Sequence, residues 1–266
     1  MKKTSRVVVI TGHSSGIGRV VANYFQKNGD IVYGLSRHNG DNEKINFIEC
    51  DITIPEQVEN AISQIDQAEG RIDILINNAG MGISGSVENT NLDDIKRIFA
   101  VNFYGAVNVT QCVLPIMRRQ KMGKILCTSS LASFFPIPFQ SFYSATKASL
   151  DIWSKALRLE VKPFNIQICN CLLGDTKSGF TSARKKSIYD EGTVYEETVK
   201  RSVEKMEHDE QNGKEPITVA KTMYKLSNKK KIPATVIVGG LNKTLGFLNK
   251  ILPQKFMLYV VGKMYT

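Results

Sequence analysis

The chain has 266 residues, 42% of them apolar, and a formal net charge of +10, which suits one α/β domain with a substantial core. Its five cysteines lack CxxC or metal-ligand spacing and its three histidines are scattered, so we expect no metal site, and free thiols in a reducing cytoplasm. The first apolar run, at 7–10, is too short for a signal peptide or a membrane span, and no nucleic-acid-binding motif accompanies the charge.

The first part of the chain alternates between strand and helix patterns. The β-branched run at 7–10 predicts a buried strand, followed by a Gly-rich turn and by helical spacing from Ile17 to Asn28. With a second strand at 31–35, these elements form the first βαβ unit of a doubly wound sheet. Further patterns predict strands at 46–50 and 72–76, with a helix at 55–68 between them.

The second part of the chain continues the alternation. Residues 181–212 are charged and have a helical pattern in Val203 and Met206 but no strong core face. The other patterns predict helices at 91–100, 103–121, 141–161 and 219–226, and strands at 124–128, 166–172 and 234–238. We therefore predict a single-domain Rossmann fold over 1–240, with a doubly wound, seven-stranded parallel sheet and helices on both faces, followed by an extension at 241–266.

The turn after the first strand has the composition of a phosphate-binding loop. Glycines let the backbone approach a pyrophosphate, and the following helix offers free N–H groups and the positive end of its dipole. Such a loop is a stronger signal when it follows a strand and opens a helix, as it does here. The candidate cofactor-binding residues in this loop are Gly12, Ser14, Ser15, Gly16, Ile17 and Gly18.

The end of the second strand indicates the type of dinucleotide. An acidic residue there binds the 2′-hydroxyl of NAD, whereas an arginine suits the 2′-phosphate of NADP. The chain has Ser36 and Arg37 at this point and no acidic residue before Asp41. We therefore expect NADP(H) rather than NAD(H), although a solvated loop arginine is the alternative interpretation.

Three polar residues form a candidate proton-transfer site. Tyr143 and Lys147 are four residues apart and so share one face of the predicted helix at 141–161. A nearby ammonium favours the phenolate form of a tyrosine, and the hydroxyl of Ser130 can donate a hydrogen bond to a carbonyl oxygen. Together they suit the interconversion of a ketone and an alcohol; the alternative is an ordinary amphipathic helix with an exposed lysine.

These features resemble the classical short-chain dehydrogenases/reductases over about residues 5–240. Ser130 precedes Tyr143 by thirteen residues, which is the usual spacing in that family. The matching motifs occur in the family's order and are TGHSSGIG at 11–18, Asp51, NNAG at 77–80, Asn102, Ser130 and YSATK at 143–147.

The resemblance implies roles for the catalytic set. Tyr143 would be the general acid/base, and Lys147 would lower its pKa and hold the nicotinamide ribose. Ser130, with Tyr143, would bind the substrate oxygen, and Asn102 would support a water in a proton relay. The implied cofactor contacts also include Asp51 and Ile52 at the adenine, Asn78, Ala79 and Gly80 at the adenosine ribose, and Thr176 and Ser178 at the nicotinamide carboxamide. Capping between neighbouring strands is a second role open to Asn78 and Asn102.

The sequence departs from the family pattern after the sixth strand. Leu173-Gly174 replaces the usual Pro-Gly, which predicts a looser turn into the substrate loop. The connection at 131–139 is apolar and aromatic, so it suits an apolar substrate, although packing beneath the substrate loop is the alternative. Residues 175–216 are the predicted lid.

The C-terminal extension is basic and amphipathic. From Lys214 to Thr266 the chain has ten lysines and one acidic residue, Glu215, which indicates a solvated face, an anionic membrane surface or an acidic partner. The apolar residues at helical spacing in the extension are Leu245, Leu248, Ile251 and Leu252, followed after Pro253 by Phe256, Met257, Tyr259, Val260 and Val261. The extension can pack as core or in a subunit contact, dock on the lid, or lie on a membrane interface.

The leading hypothesis is an NADP-dependent ketone/alcohol oxidoreductase for an apolar steroid, bile acid-like or lipid-like substrate. A 3-oxoacyl-carrier-protein reductase is the alternative enzyme, and a non-catalytic NADP-sensing regulatory protein is the alternative from another class. We expect a cytoplasmic homodimer or homotetramer, with peripheral membrane contact through the tail as an open alternative.

Overall fold

Seven parallel strands build the main sheet of the protein, a computed structural model that describes residues 5–186, 188–239 and 253–265. The strands are β1 Val7–Thr11, β2 Ile31–Ser36, β3 Asn46–Glu49, β4 Ile74–Asn77, β5 Ile83–Ser84, β6 Gly123–Ser130, β7 Ile166–Leu173, β8 Lys185–Lys186 and β9 Thr235–Ile237. The main sheet has the order β3-β2-β1-β4-β6-β7-β9, whereas β5 and β8 pair in a separate two-stranded sheet. The predicted doubly wound, seven-stranded parallel sheet is confirmed.

Helices cover both faces of this sheet. They are α1 Gly16–Lys27, α2 Pro55–Glu69, α3 Leu92–Phe99, α4 Gly105–Gln120, α5 Ser141–Glu160, α6 Phe180–Ala183, α7 Glu196–Gln211, α8 Ile217–Ser227 and α9 Gln254–Tyr265. A π-helical turn, Ala100–Tyr104, joins α3 to α4, and short 3₁₀ turns lie at Leu131–Ser133 and Lys162–Phe164.

Alternate residues of β1 pack into two separate cores. Val7 and Val9 belong to the core beneath α2, α4 and α5, whereas Val8 and Ile10 belong to the core beneath α1 and α8. Because side chains alternate along a strand, a run of apolar residues is needed where both faces are covered. This requirement explains why the strand patterns were apolar throughout.

The order of the strands fixes where a ligand can bind. The chain moves outward from β1 through β2 to β3 and then returns to β4 on the other side of β1. In open α/β sheets a crevice forms at this reversal, beyond the carboxyl ends of the strands. The loops that follow β1 and β4 therefore meet at one edge of the sheet.

The connection from α3 to α4 differs from the predicted pair of helices. Leu92–Gln120 is one continuous helical stretch in which the π-helical turn takes the place of the expected break. By length and a mean hydropathy of 1.2 it could cross a membrane, but core helices of soluble proteins pass the same criterion. Here Val109, Val113 and Met117 are buried against the sheet, as in a core helix.

The predicted lid has a core face that includes Val203 and Met206, the two positions with a helical pattern in the sequence. Within 181–212, α7 buries Val199, Val203 and Met206. The expectation of no strong core face there was wrong, because charged residues on the other sides of α7 mask this narrow apolar stripe. Leu173 is the last residue of β7 and pairs with Ser130 of β6, so the turn that was predicted to be looser begins after it, at Gly174.

The C-terminal helix α9 packs against the connection that follows β6. Met257 and Val261 are buried in a small cluster with Phe135, and Phe134 and Tyr265 pack against it. Of the three packing modes expected for the extension, docking on the same chain is the one present in the described part. The predicted apolar positions Leu245, Leu248, Ile251 and Leu252 lie outside the described residues.

Candidate active site

One cavity of about 650 Å³ lies at the carboxyl ends of the central strands. Three of the four candidate catalytic residues line it, namely Ser130, Tyr143 and Lys147. So do all of the other candidate cofactor-binding residues: Gly12, Ser14, Ser15, Gly16, Ile17, Gly18, Ser36, Arg37, Asp51, Ile52, Asn78, Ala79, Gly80, Thr176 and Ser178. The fold thus brings together residues that are up to 166 positions apart in the sequence, from Gly12 to Ser178.

The loop between β1 and α1 forms a cradle that side chains would fill. Gly12 has a φ of +70°, and a Cβ added there would lie 2.9 Å from the Cα of Ala79. A Cβ on Gly18 would lie 2.0 Å from the carbonyl oxygen of Gly12. Ser15, at the N-cap of α1, makes no capping hydrogen bond through its side chain, so the first amides of the helix are available to an anion. This cradle fits the pyrophosphate of a dinucleotide.

Asn78 joins the ends of three strands beside this loop. Its Nδ2 donates to the carbonyl oxygen of Thr11 at 3.1 Å, and its Oδ1 accepts from Thr128 Oγ1 at 3.3 Å. The backbone N–H groups of Asn78 and Ala79 both donate to Thr11 Oγ1 at 3.0 Å. The capping role that was left open for Asn78 is therefore present, and the residue still lines the cavity.

His13 supports the turn after β2 from inside the protein. Ser36 Oγ donates to the carbonyl oxygen of His38 at 2.6 Å and lies 3.1 Å from His13 Nδ1. The Ser36 hydroxyl uses its single proton in the bond to His38. It therefore accepts a hydrogen bond from His13, whose Nδ1 carries a proton. His13 is 1% exposed, and burial lowers its pKa, so the ring is neutral at physiological pH. Sequence analysis assigned His13 no role.

The turn that His13 supports presents Arg37 at the rim of the cavity. Arg37 is exposed and lines the cavity together with Ser36. Asp41, the first acidic residue after β2, is paired with Arg19 at 2.6 Å. Beyond the end of β3, the carboxylate of Asp51 accepts from Thr53 N at 2.9 Å, which holds the loop before α2 in place.

Tyr143 and Ser130 meet where α5 passes the end of β6. Ser130 is the last residue of β6, and its Oγ accepts from Ala132 N at 3.1 Å, which fixes the hydroxyl at the start of the 3₁₀ turn. Burial raises the pKa of the Tyr143 phenol to about 12, with Glu210 raising it further. A hydrogen bond with Ser130 and the charge of Arg184 act in the opposite direction. The phenol therefore keeps its proton at neutral pH.

Lys147 lies one turn further along α5, with its ammonium turned inward. Its Nζ donates to the carbonyl oxygen of Thr128 at 3.0 Å and lies 5.6 Å from the centre of the Tyr143 ring. Burial lowers the pKa of Lys147 to about 8. Lys147 was expected to lower the pKa of Tyr143, but here the phenol pKa is raised, because desolvation outweighs the favourable contacts. A Cβ on Gly80 would lie 3.6 Å from Nζ, so the NNAG loop passes directly over the amine.

Asn102 lies behind this pair, in the π-helical turn. It is 1% exposed and does not line the cavity. Its side chain forms a two-way bridge with Met81, accepting from Met81 N at 2.8 Å and donating to Met81 O at 3.0 Å. Nδ2 also lies 3.2 Å from Thr146 Oγ1 on α5. π-Helical turns occur frequently at functional sites. Through Asn102, this turn connects α5 with the loop that passes over Lys147.

The cavity continues from Tyr143 into an apolar end that sequence analysis only partly foresaw. The connection at 131–139 contributes Phe135 and Ile137, as expected for an apolar substrate. Helix α9 contributes Met257, Val260, Val261, Met264 and Tyr265. The helical spacing of these residues was visible in the sequence, but nothing in it indicated which surface they cover.

Three acidic residues that sequence analysis did not identify also line the cavity. They are Asp175, beside the predicted carboxamide contact Thr176, and Asp209 and Glu210 at the end of α7. The position of Asp175 next to a family motif was a usable signal. No pattern distinguished Asp209 and Glu210 from the other charges of 181–212.

Comparisons with known proteins agree with this geometry. The short chain dehydrogenase family model matches residues 6–188. A 3-ketodihydrosphingosine reductase of Bacteroides thetaiotaomicron is 37% identical over 264 residues, which cover 98% of each chain. An NADPH-dependent 1-acyldihydroxyacetone phosphate reductase of Saccharomyces cerevisiae is 30% identical over 198 residues, 69% of this chain and 66% of that protein.

A solved structure agrees over almost the whole fold. A short-chain dehydrogenase from Streptomyces avermitilis superimposes with a TM-score of 0.84 and 27% identity, covering 94% of each chain. The sequence motifs, the fold and the family model lead to one conclusion. The chain belongs to the short-chain dehydrogenase/reductase family, whose members are oxidoreductases that bind a nicotinamide cofactor and act on CH–OH or C=O groups of small molecules.

Proposed function

We propose that the protein reduces the ketone of a long-chain lipid with NADPH, and that 3-ketodihydrosphingosine is the first substrate to test. The observation that carries this proposal is the continuity between Tyr143 and the apolar end of the cavity formed by Phe135 and α9. A hydrocarbon chain bound in that end gains about 0.8 kcal/mol of binding free energy for each methylene that it buries. The Bacteroides relative, a 3-ketodihydrosphingosine reductase, supports the same substrate class.

The proposed roles of the residues follow from their surroundings. The nicotinamide cofactor supplies the hydride when it is bound. Tyr143, which keeps its proton at neutral pH, donates that proton to the ketone oxygen while Ser130 donates a hydrogen bond to the same oxygen. Lys147 holds the ribose of the cofactor and shares its positive charge with the site. Asn102 keeps the Met81 loop and α5 at a fixed separation.

The preference for NADPH rests on the turn after β2. Arg37 is exposed at the cavity rim, where a guanidinium can form two hydrogen bonds with a phosphate. The nearest following acid, Asp41, is paired with Arg19 and so does not compete for the arginine. The NADPH dependence of the yeast relative supports the same choice.

We further propose a cytoplasmic homodimer or homotetramer, built from the Rossmann domain at 1–240 and the extension at 241–266. The segment 175–216 is proposed as the lid over the substrate. A peripheral membrane contact through the extension is the alternative route for delivery of a lipid.

The test is oxidation of NADPH, and separately of NADH, with a panel of ketones. The panel contains 3-ketodihydrosphingosine, a steroid ketone, a bile-acid ketone, short aliphatic ketones and a 3-oxoacyl thioester. We expect the long-chain ketone to have the highest kcat/KM, with NADPH preferred. Highest activity on the thioester would instead identify a carrier-protein reductase, and preference for NADH would contradict the role given to Arg37.

The variant Tyr143→Phe distinguishes the proposed enzyme from a non-catalytic NADP sensor. The substitution removes only the phenolic hydroxyl, so kcat should fall by about 10²- to 10⁴-fold, the usual contribution of a general acid. The dissociation constant of NADPH, measured by fluorescence, should stay within about twofold. Tight NADPH binding with no turnover of any ketone by the unsubstituted protein would favour the sensor.

A further inference from the structure

Asp175 is held on the cavity wall by the segment that follows α7. Lys214 N donates to the carbonyl oxygen of Asp175 at 2.9 Å, and Lys177 N donates to the carbonyl oxygen of Lys214 at 2.9 Å. A Cβ on Gly213 would lie 2.4 Å from the carbonyl carbon of Asp175, so the two segments pass each other at backbone distance. The carboxylate of Asp175 therefore projects from a fixed backbone rather than from a free loop.

The other two carboxylates of this wall already have partners. Glu210 is paired with the buried Arg184 and accepts a hydrogen bond from Thr181 Oγ1 at 2.6 Å. Asp209 accepts from Lys205 Nζ at distances of 2.5 and 2.6 Å. These two pairs largely cancel their own charges.

Asp175 differs from both. Among residues 5–186, 188–239 and 253–265, no basic side chain lies within ion-pair distance of its carboxylate. Desolvation raises the pKa of Asp175, and Asp209 and Glu210 raise it further, against the weaker effects of its own backbone N–H and Lys205. Asp175 is exposed in the cavity and is the one of these three carboxylates without an ion-pair partner among the described residues, so a bound cation would stabilise its charge.

The influence of this wall extends to the reacting centre. Asp175 is adjacent to Thr176, a proposed nicotinamide contact, and both residues line the cavity together with Tyr143. The charge of Glu210 acts on the Tyr143 phenol, and all three carboxylates raise the pKa of Tyr265 in α9, after desolvation. The charges of these carboxylates therefore act both on the Tyr143 phenol and on Tyr265 at the apolar end of the cavity.

We propose that the carboxylate of Asp175 binds an ammonium group of the substrate, so that the site selects long-chain ketones with a cationic nitrogen close to the carbonyl. The inference rests on the proposed function, because it assigns a subsite within the same cavity. 3-Ketodihydrosphingosine has this arrangement, with its amino group on the carbon next to the ketone and its hydrocarbon chain on the other side. The ketone would then face Tyr143, the ammonium would face Asp175, and the hydrocarbon chain would lie against α9.

The test compares two ketones that differ only in the nitrogen. One is 3-ketodihydrosphingosine and the other is the 1-hydroxy-3-ketone of the same chain length without the amino group. For Asp175→Asn, which keeps the shape and removes the charge, kcat/KM for the amino ketone should fall about 10- to 100-fold, or about 1.4 to 2.8 kcal/mol. The value for the neutral ketone should change by less than about threefold, because an amide can still line the wall.

A matched control is Glu215→Gln, close in sequence to the Lys214 contact. Glu215 is exposed, is paired with Lys177 at 3.1 Å and does not line the cavity. Its substitution should leave both ketones unaffected. The thermal midpoint and the NADPH dissociation constant of Asp175→Asn should match those of the unsubstituted protein, which shows that the loss is not one of folding or cofactor binding.

Four outcomes would overturn the inference. Equal losses on both ketones would make Asp175 a residue that shapes the turn, and no loss on either would remove it from the subsite. If the unsubstituted protein reduces both ketones equally well, the amine subsite fails while the proposed lipid ketone reductase survives. Reduction of neither ketone, with turnover of other members of the panel, would overturn the proposed function as well.

Discussion

Desolvation acts on both Tyr143 and Lys147, with opposite consequences for their protons. Desolvation raises the pKa of the phenol to about 12 and lowers that of the ammonium to about 8, because it disfavours the charged form of each group. At neutral pH the phenol keeps the proton that a ketone needs, whereas Lys147 is within about one pH unit of losing its own. The charge of the site is therefore sensitive to pH through Lys147 rather than through Tyr143.

The pH profile of the reduction should report this lysine. Lys147 is cationic below pH 8 and neutral above it, since its pKa is lowered to about 8. We expect kcat/KM for a ketone to be level from about pH 6 to 7 and to fall above an apparent pKa near 8. The profile is best measured with the neutral 1-hydroxy-3-ketone, whose own protonation does not change in this range.

Lys147→Arg is the control for this assignment. A guanidinium keeps its charge throughout the range, so the variant should lose the fall near pH 8 even where its overall rate is lower. An unchanged inflection in Lys147→Arg would assign the titration to another group. A level profile up to about pH 10 in the unsubstituted protein would mean that the charge of Lys147 is not used.

The positions of these residues were predictable from the sequence, whereas their protonation was not. Proton transfer at a carbonyl needs particular side chains at fixed spacing, and a helix places residues four apart on one face. The pKa of Tyr143, by contrast, depends on how deeply α5 is covered and on Glu210 and Arg184, which are 67 and 41 positions away. Contacts of that separation leave no local pattern.

The loop between β1 and α1 is joined to β2 by a tight contact between His13 and Gly34. A Cβ on Gly34 would lie 2.3 Å from the His13 ring, so the strand needs a glycine at this point. On its other side the ring contacts Phe47 of β3, with 5.7 Å between ring centres. The imidazole thereby fixes Ser36 and the turn that presents Arg37.

Gly34→Ala tests this contact. The added methyl must displace the His13 ring, and overpacking of this kind costs about 1–3 kcal/mol, or roughly 2–12 °C in Tm. We also expect KM for NADPH to rise, because Ser36 loses its hydrogen-bond partner. Thermal unfolding and steady-state kinetics measure the two effects.

The double variant His13→Ala/Gly34→Ala provides the control. With the imidazole ring removed, the methyl group added at position 34 has space, so the double variant should be more stable than the sum of the two single effects predicts, by about 1 kcal/mol or more. Simple additivity would show that the two positions are not coupled. Recovery of stability without recovery of the KM for NADPH would assign the cofactor effect to the lost His13–Ser36 hydrogen bond.

Elements with a continuous apolar or amphipathic pattern were predicted well, and those formed by tertiary contact were not. The seven strands and the helices around them follow from apolar runs and helical spacing. The pairing of β5 with β8 involves two residues on each side, too few for any periodicity. The π-helical turn at Asn102 likewise depends on the bridge to Met81, which no local spacing encodes.

At the scale of the whole molecule, α9 completes a cavity that the Rossmann core leaves open. Residues from both halves of the sheet line the proposed cofactor site and hold Tyr143, whereas the apolar end depends on one helix at the far end of the chain. The amphipathic character of that helix was predictable. Its place over Phe135 was not, because an apolar face indicates that it is covered without indicating by what.

The increase of activity with the length of the substrate's hydrocarbon chain should therefore depend on α9. Each methylene that reaches the apolar end contributes up to about 0.8 kcal/mol, so kcat/KM should rise by as much as about fourfold per methylene across a series of 3-ketones. Val261 is buried at 8% exposure, and Val261→Asp places a charge among these side chains, so the rise should disappear while short ketones keep their kcat.

Tyr259→Asp, on the same helix at 63% exposure, is the matched control and should keep the rise in kcat/KM with the length of the ketone. If Tyr259→Asp alone abolished it, the outer face of α9 would be the surface that acts on the substrate, through a membrane or a second subunit. Equal loss of short and long ketones in Val261→Asp would instead mean that α9 supports the catalytic geometry itself.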